Sequence, residues 1–201
     1  MSFELEVRNS QIKNAGDGLF VKSGTIDADQ VVCEYTGDMV VGHDNLSYAQ
    51  SDIAVGVGGD ILIVGNGIGA KVNDIAHMTA VSEEEFEKFV RTETYPTYPS
   101  YSTNCKFEIK GSGEFARVYI KAIRKIETDE ELFISYGSEY WIQRLIRWKL
   151  IDEDYAKKTV ARLVWEKIQT QNTIKINKNN NINNNINNNI NNNINNNINN
   201  N

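Results

Sequence analysis

A glycine-rich loop and two tyrosine-bearing segments hold the residues that could bind a ligand or catalyse a reaction. The loop is "AGDGLF" at 15–20, and the tyrosines stand in "CEYTG" at 33–37 and "DEELFISYGSEYW" at 129–141. A glycine pair alone usually serves a turn. The loop also lacks the G-x-G-x-x-G spacing and strand-to-helix context of a dinucleotide-binding fold, because the strand-like "LFVK" follows it. A tight turn and a backbone that approaches a ligand therefore both remain open for this loop.

The common nucleophilic and metal-dependent active sites have no match in the sequence. Neither GxSxG nor HExxH occurs. With only two histidines beside them, Cys33 and Cys105 are too few for a disulfide scaffold or a zinc site, and we expect them to be small buried hydrophobic residues. The adjacent carboxylates of Glu130 and Glu131 are expected to shape a turn and its hydrogen bonds rather than to transfer protons. We expect no metal.

The composition predicts one domain followed by a low-complexity tail. From about Asn172 the chain is almost entirely asparagine and isoleucine, and the rest suits one domain. The formal net charge is −6, and it is −8 without the tail residues Lys175 and Lys178. An acidic body argues against direct nucleic-acid binding and would suit a basic partner. Because there is no long apolar stretch and no signal-like N-terminus, we expect a soluble intracellular protein without membrane association.

Short strands are predicted to position most of these groups. Runs rich in β-branched and aromatic residues alternate with glycine, aspartate and asparagine, which is typical of strands joined by tight turns. The segment "GSGE" at 111–114 predicts a hairpin loop between the last two runs. The predicted strands are "FELEV" (3–7), "GLFVK" (18–22), "QVVCEY" (30–35), "ILIV" (61–64), "KFEIK" (106–110) and "ARVYIKAIR" (116–124).

Helical periodicity is long only near the end of the foldable chain. Trp141, Leu145 and Trp148 share one apolar stripe of a helix that is predicted from Ser138 onward. A second predicted stripe consists of Val160, Leu163, Val164 and Ile168.

An insertion at about 76–103 separates the two groups of strands. Ser82 could cap a short helix whose first turn carries three glutamates. The following "TYPTYPSY" at 94–101 holds both prolines of the chain and therefore predicts no central strand. The insertion could line a groove for a basic peptide, or it could be a solvated surface excursion.

Four motifs in a fixed order carry a family resemblance. They are "AGDGLF" at 15–20, "CEYTG" at 33–37, "AKVND" at 70–74 with "NC" at 104–105, and "DEELFISYGSEYW" at 129–141. In this order, with the last motif as the most specific, the chain resembles the SET-domain family of S-adenosylmethionine-dependent protein lysine methyltransferases. The resemblance implies a β-clip architecture, mainly β with appended helices. In it, small sheets surround a knot-like crossing where "AKVND" and "ELFISYG" pack together.

The resemblance gives five residues a role in binding S-adenosylmethionine. Gly16, Asp17 and Gly18 match a loop whose backbone borders the amino-acid end of the cofactor, where a Cβ would obstruct the approach. Asn73 matches an asparagine that holds the cofactor. Asp74 stands where the family usually has histidine. Because that position bonds the adenine largely through its backbone, an aspartate could still serve there, although without the packing of an imidazole.

Three aromatic residues complete the implied site. Tyr136 matches the tyrosine at the methyl group of the cofactor, so it is expected both to bind and to catalyse. Tyr35 matches a catalytic tyrosine that lines the lysine channel. Trp141 matches an aromatic residue that packs beside the adenine. The alternative is a core tyrosine with a satisfied hydroxyl for the first two, and a core-helix residue for Trp141.

Three functional hypotheses follow. The first is a protein lysine methyltransferase that acts on a lysine-containing protein such as a histone, and a nuclear or chromatin location would follow only from a histone substrate. The second is a catalytically inactive SET-fold module for a basic partner, supported by Asp74 and by the insertion that splits the family's N-H-S-C unit. The third is a scaffold assembled through the Asn/Ile tail.

The expected organisation is a SET-like catalytic domain at 1–141, C-terminal helices at 142–171 and a disordered tail at 172–201. The sequence lacks the cysteine-rich zinc clusters that often flank the domain in relatives. Helices after residue 141, or a second subunit, must then close the lysine channel. A symmetric homodimer anchored by Trp148 and Trp165 is therefore an alternative to burial of both side chains in the core.

Overall fold

The computed structural model describes residues 2–41, 53–77 and 81–171. The Asn/Ile tail at 172–201, for which the sequence predicts disorder, lies outside the described residues.

The chain divides into two compact units. The sheet unit consists of Met1–Met78 and Tyr95–Trp141, and the helical unit consists of Thr79–Thr94 and Ile142–Asn201. The insertion is therefore shared, with its middle part, Thr79–Thr94, in the helical unit and both of its ends in the sheet unit. The domain boundaries expected from the sequence stay a prediction.

Antiparallel strands dominate the sheet unit. The strands are β1 (Glu4–Asn9), β2 (Asp17–Ser23), β3 (Val31–Glu34), β4 (Gly37–Val41), β5 (Ala54–Gly58), β6 (Ile61–Gly65), β7 (Cys105–Lys110) and β8 (Arg117–Ala122). They form three small sheets in the described part of the chain, in the orders β1-β2, β3-β8-β7 and β4-β6-β5. The expected fold class, mainly β with appended helices, is confirmed.

The six strands predicted from branched and aromatic runs are all present, with ends displaced by at most two residues. The predicted hairpin loop is also confirmed, because Lys110 pairs with Arg117 across it. The sequence missed β4 and β5, which pair with the two edges of β6. Their sequences, "GDMVV" and "AVGVG", carry the glycine and aspartate that otherwise indicate turns.

A large apolar cluster in the core of the sheet unit draws on all three sheets. A fully buried aliphatic side chain contributes about 1.5–3 kcal/mol relative to an exposed one. The fully buried aliphatic residues of this cluster include Leu19, Val21, Ile26, Val118, Ile120, Ile126 and Leu132.

A crossing of chain segments lies beside this core. Phe133 forms a parallel bridge with Asn73, and the N–H of Ile134 donates to the carbonyl of Asn73 at 2.9 Å. These contacts join the "AKVND" and "ELFISYG" segments, so the packing expected from the resemblance is confirmed.

The same crossing also holds the segment that follows the insertion. The N–H groups of Asn104 and Cys105 both donate to the carbonyl of Phe133, at 3.1 and 2.9 Å. Both halves of the split N-H-S-C unit therefore reach the same short segment. Within the insertion, Ala76 forms an antiparallel bridge with Thr97. That bridge is isolated, so "TYPTYPSY" is no central strand, as predicted.

Helices α1 (Glu83–Thr92) and α3 (153–171) belong to the helical unit, and α2 (Ser138–Arg147) begins in the sheet unit. The predicted cap of α1 is confirmed as a full capping box: Ser82 accepts from the N–H of Glu85, and the Glu85 side chain accepts from the N–H of Ser82. No helix in the described part of the chain is long and apolar enough to cross a membrane.

Ion pairs join α1 and its C-cap residue, Glu93, to α3 within the helical unit. The shortest nitrogen–oxygen distances of these pairs are 2.7 Å for Arg162–Glu87, 2.9 Å for Lys167–Glu93 and 3.2 Å for Arg91–Glu166.

The predicted helical stripes are partly wrong. Trp141 and Leu145 are buried as expected, but Trp148 follows the end of α2 and is 49% exposed. On α3, Val164 and Ile168 are exposed, because the buried stripe runs through Ala156, Thr159 and Leu163 instead. A threonine at the centre of that stripe hides it from a search for apolar periodicity.

Candidate functional site

The glycine loop at 16–18 is open on one side and filled on the other. Gly16 has a φ of +76°, and a Cβ built there would meet no described atom within 4 Å. A Cβ on Gly18 would instead collide with the carboxylate of Glu131. The glycine at position 18 is therefore required by packing within the protein itself, and its predicted role at the cofactor stays a prediction. Gly18 makes room for Glu131, whereas a Cβ on Gly16 would enter space that no described atom fills.

Asn73 ties the crossing to this loop. Its side-chain amide donates to the carbonyl of Asp17 at 2.9 Å and to Glu131 Oε1 at 3.2 Å. Lys71 forms an ion pair with the Asp17 carboxylate, with a nitrogen–oxygen distance of 3.0 Å. Residues that are more than 50 positions apart thus form one edge, and the structure brings together the predicted binding residues Gly16, Asp17, Gly18 and Asn73.

Two buried polar residues form hydrogen bonds beside that edge. Glu131 is 3% exposed, and it accepts hydrogen bonds from the Ser10 hydroxyl and the Gln11 N–H, both at 2.7 Å. Asn104 is 1% exposed; its amide donates to the carbonyl of Glu131 and its side-chain oxygen accepts from the N–H of Phe133, both at 2.8 Å. The expectation that Glu131 organises hydrogen bonds is confirmed.

Tyr136 lies directly beside Asn73. Its hydroxyl donates to the carbonyl of Val72 at 2.8 Å, and Val72 is the residue before Asn73. A phenol that donates its only proton keeps both oxygen lone pairs as acceptors. The predicted catalytic tyrosine is therefore fixed beside the residue that holds the glycine loop.

Asp74 has a buried side chain that takes part in four hydrogen bonds. Its Oδ2 accepts from the N–H of Tyr136 at 2.7 Å, from the Tyr95 hydroxyl at 2.8 Å and from Trp141 Nε1 at 3.0 Å. Its Oδ1 accepts from the N–H of Ala76 at 2.9 Å. In contrast, no described residue forms a hydrogen bond with the main-chain N–H or carbonyl of Asp74. The backbone groups expected to contact an adenine are therefore unpaired within the described part of the chain.

An aromatic cluster flanks Asp74 and Tyr136. The ring centroid of Tyr140 is 4.7 Å from that of Tyr136 and 5.0 Å from that of Trp141, in edge-to-face arrangements. The rings of Tyr136 and Trp141 are nearly parallel, with centroids 6.3 Å apart. The structure thus brings Trp141 to the predicted site, although it is 8% exposed and also suits a core residue.

Tyr35 lies deeper in the sheet unit. It is 5% exposed, its hydroxyl donates to the carbonyl of Ile53, and its ring meets Phe107 edge to face at 5.7 Å. Burial, together with the nearby Tyr140 phenol, raises the pKa of Tyr35 to about 12 despite an opposing bond from Gly65. Tyr35 is therefore a neutral phenol with a satisfied hydroxyl, and its place in a lysine channel stays a prediction.

The remaining candidate groups are structural. Burial raises the pKa of Cys33 to about 11 and that of Cys105 to about 12, so neither is a thiolate nucleophile at neutral pH. Glu130 forms an ion pair with Arg124 and accepts from the N–H of Glu127, as expected of a turn. The described residues contain no cluster of three or more histidine, cysteine, aspartate or glutamate side chains that could hold a metal ion.

Three residues that organise this site were not identified from the sequence as functional. Tyr140 stands inside the last motif, so the motif itself could have indicated it. Asn104 was noted only as half of a split unit. Tyr95 reaches Asp74 from the insertion, 21 positions away, and no local pattern indicates that contact.

Comparisons with known proteins identify the family of the chain. The family model described as SET domain matches residues 16–137. One similar solved structure is a humanized mutant of the Chaetomium thermophilum Polycomb Repressive Complex 2 bound to an inhibitor, with a TM-score of 0.48 and 21% identity. That match covers 68% of this chain and 15% of the solved chain, so this chain corresponds to a small part of it. No curated protein matches the chain.

Proposed function

The chain belongs to the SET-domain family, and from this premise we propose that it is a protein lysine methyltransferase that uses S-adenosylmethionine. One observation carries the proposal: the Tyr136 hydroxyl is bonded to the carbonyl of Val72, while the next residue, Asn73, holds the glycine loop through Asp17. The residue predicted for catalysis and the residues predicted for cofactor binding therefore form one continuous site.

The groups around this site suit the parts of the proposed cofactor. The open side of Gly16 leaves space beside the Asp17 and Lys71 pair, which suits a zwitterionic amino-acid end. The main-chain groups of Asp74, which have no partner among the described residues, and the ring of Trp141 suit a flat base that needs hydrogen bonds and stacking. S-adenosylmethionine would supply an electrophilic methyl group on a sulfonium sulfur.

In this proposal Tyr136 orients the reacting groups through its phenol oxygen. Because its proton is donated to the carbonyl of Val72, the phenol oxygen is held in one position, and an oxygen of this kind is also an acceptor. A fixed acceptor can contact the polarised methyl hydrogens and limit the directions from which an amine approaches. Alignment of this kind can supply several kcal/mol, up to roughly 7–11 kcal/mol in ideal cases.

A lysine substrate must lose a proton before it attacks, and Tyr35 does not remove it. An ordinary lysine pKa of about 10.4 makes the neutral amine cost roughly 4–5 kcal/mol at neutral pH. The raised pKa of Tyr35, about 12, keeps that phenol protonated and excludes it as a base. An apolar channel and a neighbouring cation both favour the neutral amine, so the environment lowers the cost of deprotonation.

The experiment is a transfer assay with tritium-labelled S-adenosylmethionine and core histones or lysine-containing peptides. We expect transfer by the wild-type chain and a loss of about 100-fold in kcat for Tyr136→Phe, which removes one fixed polar group. Tyr119→Phe, a variant on β8, is the matched control and should keep wild-type activity. Absence of transfer by folded wild-type protein, or equal transfer by Tyr136→Phe, would contradict the proposal. Mass spectrometry of the product would give the lysine and the number of methyl groups.

A second candidate function is binding of a basic partner by an inactive SET fold. Its support is the exposed first turn of α1, where Glu83 and Glu84 add negative charge to an acidic chain. Calorimetric titration with S-adenosylmethionine separates the two functions, since an inactive module without a cofactor site would release no binding heat. A histone substrate, and the nuclear location that would follow from it, belong to the first function only.

Two further proposals concern self-association. Trp148 and Trp165 are 49% and 62% exposed, so burial of both in the core is excluded and both could anchor a symmetric homodimer. Sedimentation of Trp165→Ser tests the dimer, which should dissociate at concentrations where the wild type does not. Deletion of 172–201 tests association through the tail, and an unchanged sedimentation profile would contradict it.

A further inference from the structure

Asp74 differs from a typical surface aspartate in the number and type of its partners. It is 7% exposed, and three donors converge on its Oδ2 at 2.7–3.0 Å. No lysine, arginine or histidine of the described residues forms an ion pair with it. A buried carboxylate without a cation is stable only if hydrogen-bond donors replace its lost hydration. The burial of the Asp74 carboxylate therefore depends on these donors.

The donors come from the two ends of the proposed cofactor site. The N–H of Tyr136 donates to Asp74 from the predicted methyl end, and the indole of Trp141 donates to it from the predicted adenine end. A single oxygen atom is thus bonded to both. Any shift of the carboxylate would move both groups together.

The insertion supplies the third donor, Tyr95. Its hydroxyl is bonded to Asp74 and also lies 2.7 Å from the Ser135 hydroxyl. Ser135 in turn accepts from the N–H of Gly137 at 3.3 Å, so the residues on both sides of Tyr136 belong to the same network. Burial first, and then the neighbouring Asp74 charge, raise the pKa of Tyr95 to about 12, so it remains a proton donor at neutral pH.

We propose that Asp74 is a positioning residue whose buried carboxylate fixes Tyr136 and Trp141 relative to each other, with Tyr95 of the insertion as its third support. This inference rests on the proposed function, because the positioned groups are those of the methyl-transfer site. The aspartate stands at a position where relatives usually have histidine, and in this proposal it has a positioning role of its own. The insertion has a corresponding role, since it delivers the phenol that the carboxylate needs.

One consequence distinguishes this role from simple tolerance of an aspartate. A neutral imidazole has one acceptor nitrogen, whereas three donors meet at the Oδ2 of Asp74. Asp74→His, which restores the family residue, should therefore impair the site rather than improve it. Asp74→Asn keeps the shape but turns one oxygen into a donor that faces other donors, so it should impair the site as well.

The first measurement reports the geometry without catalysis. In a ¹⁵N-labelled protein the three tryptophan indole N–H groups give separate resonances, and Trp141→Phe identifies one of them. Because this N–H donates to a carboxylate, we expect its proton resonance downfield of the other two and an upfield move in Asp74→Asn. An indole resonance that does not move in folded Asp74→Asn would overturn the inference.

The second measurement is the affinity for S-adenosylmethionine by calorimetry, together with kcat. Charge-assisted hydrogen bonds of this kind are each worth roughly a tenfold change or more in an equilibrium constant. We expect Tyr95→Phe to raise Kd about tenfold, and Asp74→Asn and Asp74→His to raise it further and lower kcat. Tyr101→Phe is the matched control, because its hydroxyl donates to the carbonyl of Gln11 at 3.0 Å and not to Asp74; its Kd should be that of the wild type.

The outcomes separate the inference from the proposed function. A wild-type chain that binds and uses the cofactor, with Tyr95→Phe and Asp74→His indistinguishable from it, overturns the positioning role and leaves the function standing. A wild-type chain that binds no cofactor overturns both. If the Asp74 variants do not fold, Tyr95→Phe decides, since it removes one donor and leaves the carboxylate two others on the same oxygen.

Discussion

The crossing in the sheet unit and the paired helices of the helical unit are stabilised in opposite ways. At the crossing, Asn104 and Glu131 are almost fully buried and exchange hydrogen bonds with neighbouring main chain. Between α1 and α3, Arg162 and Glu87 form an ion pair in which their side chains remain 47% and 34% exposed. A buried polar group cannot exchange a lost partner for water, whereas an exposed one can. The crossing therefore fixes positions closely, and the proposed site is built on it.

The largest effect on stability is expected for Asn104→Ala. The substitution leaves the carbonyl of Glu131 and the N–H of Phe133 without their partner, at about 1–3 kcal/mol for each buried group. We expect the free energy of unfolding in urea to fall by about 3 kcal/mol or more. Asn66→Ala, at an exposed asparagine, is the control and should leave it nearly unchanged. Equal stability of the two variants would contradict the importance of the crossing.

An intermediate effect is expected for the two glycines of the loop, and they should respond differently. Gly18→Ala places a methyl group against the Glu131 carboxylate, so it should lower the free energy of unfolding by about 1–3 kcal/mol. Gly16→Ala meets no described atom and incurs only the cost of a positive φ, about 1 kcal/mol. Its main effect should be weaker binding of S-adenosylmethionine. Urea unfolding gives the stability of both variants, and calorimetry gives their affinity for S-adenosylmethionine. A Gly16→Ala variant that is less stable than Gly18→Ala would refute the predicted difference between the two glycines.

The smallest effect is expected in the helical unit. Arg91 and Arg162 bond the Glu87 carboxylate and lower its pKa below the ordinary value of 4.5. A depressed folded-state pKa gives stability that is present above pH 4.5 and is lost as the pH falls through the folded value. Arg162→Gln should therefore shift the urea midpoint only slightly at pH 7 and flatten the loss of stability below pH 4.5. High salt should lower the urea midpoint of the wild type by a similarly small amount, because it screens the exposed ion pair.

The expected change in stability for Arg162→Gln is small because both partners of the ion pair remain in contact with water. A large loss of stability at pH 7 in this variant would contradict the contrast between the two regions. Unfolding followed by far-ultraviolet circular dichroism at several pH values is sufficient to decide it.

The sequence predicted the parts of the fold that depend on local pattern. Runs of branched and aromatic residues predicted six strands, and Ser82 as a cap predicted the start of α1. Strands β4 and β5 were missed because glycine and aspartate interrupt their apolar runs. The buried stripe of α3 was misplaced because Thr159 occupies its centre and Ile168 lies at the surface.

The sequence predicted less of the candidate site than of the fold. The motifs indicated Asn73, Asp74 and Tyr136, but they gave only the order of these residues along the chain. The bonds that join them form between residues about 20 to 70 positions apart, so no periodicity records them. The same holds for Gly18, whose collision partner, Glu131, stands more than 100 positions away. Long-range hydrogen bonds of buried groups depend on tertiary structure, and only the structure shows them.

The most direct test of the account is a crystal structure of the full chain with S-adenosylhomocysteine, the demethylated product. We predict that its sulfur lies within contact distance of the Tyr136 hydroxyl, with its amino-acid end beside Gly16 and Asn73 and its adenine beside the main chain of Asp74. A ligand bound elsewhere, or a chain that binds none at saturating concentration, would contradict the central claim that these residues form one methyl-transfer site.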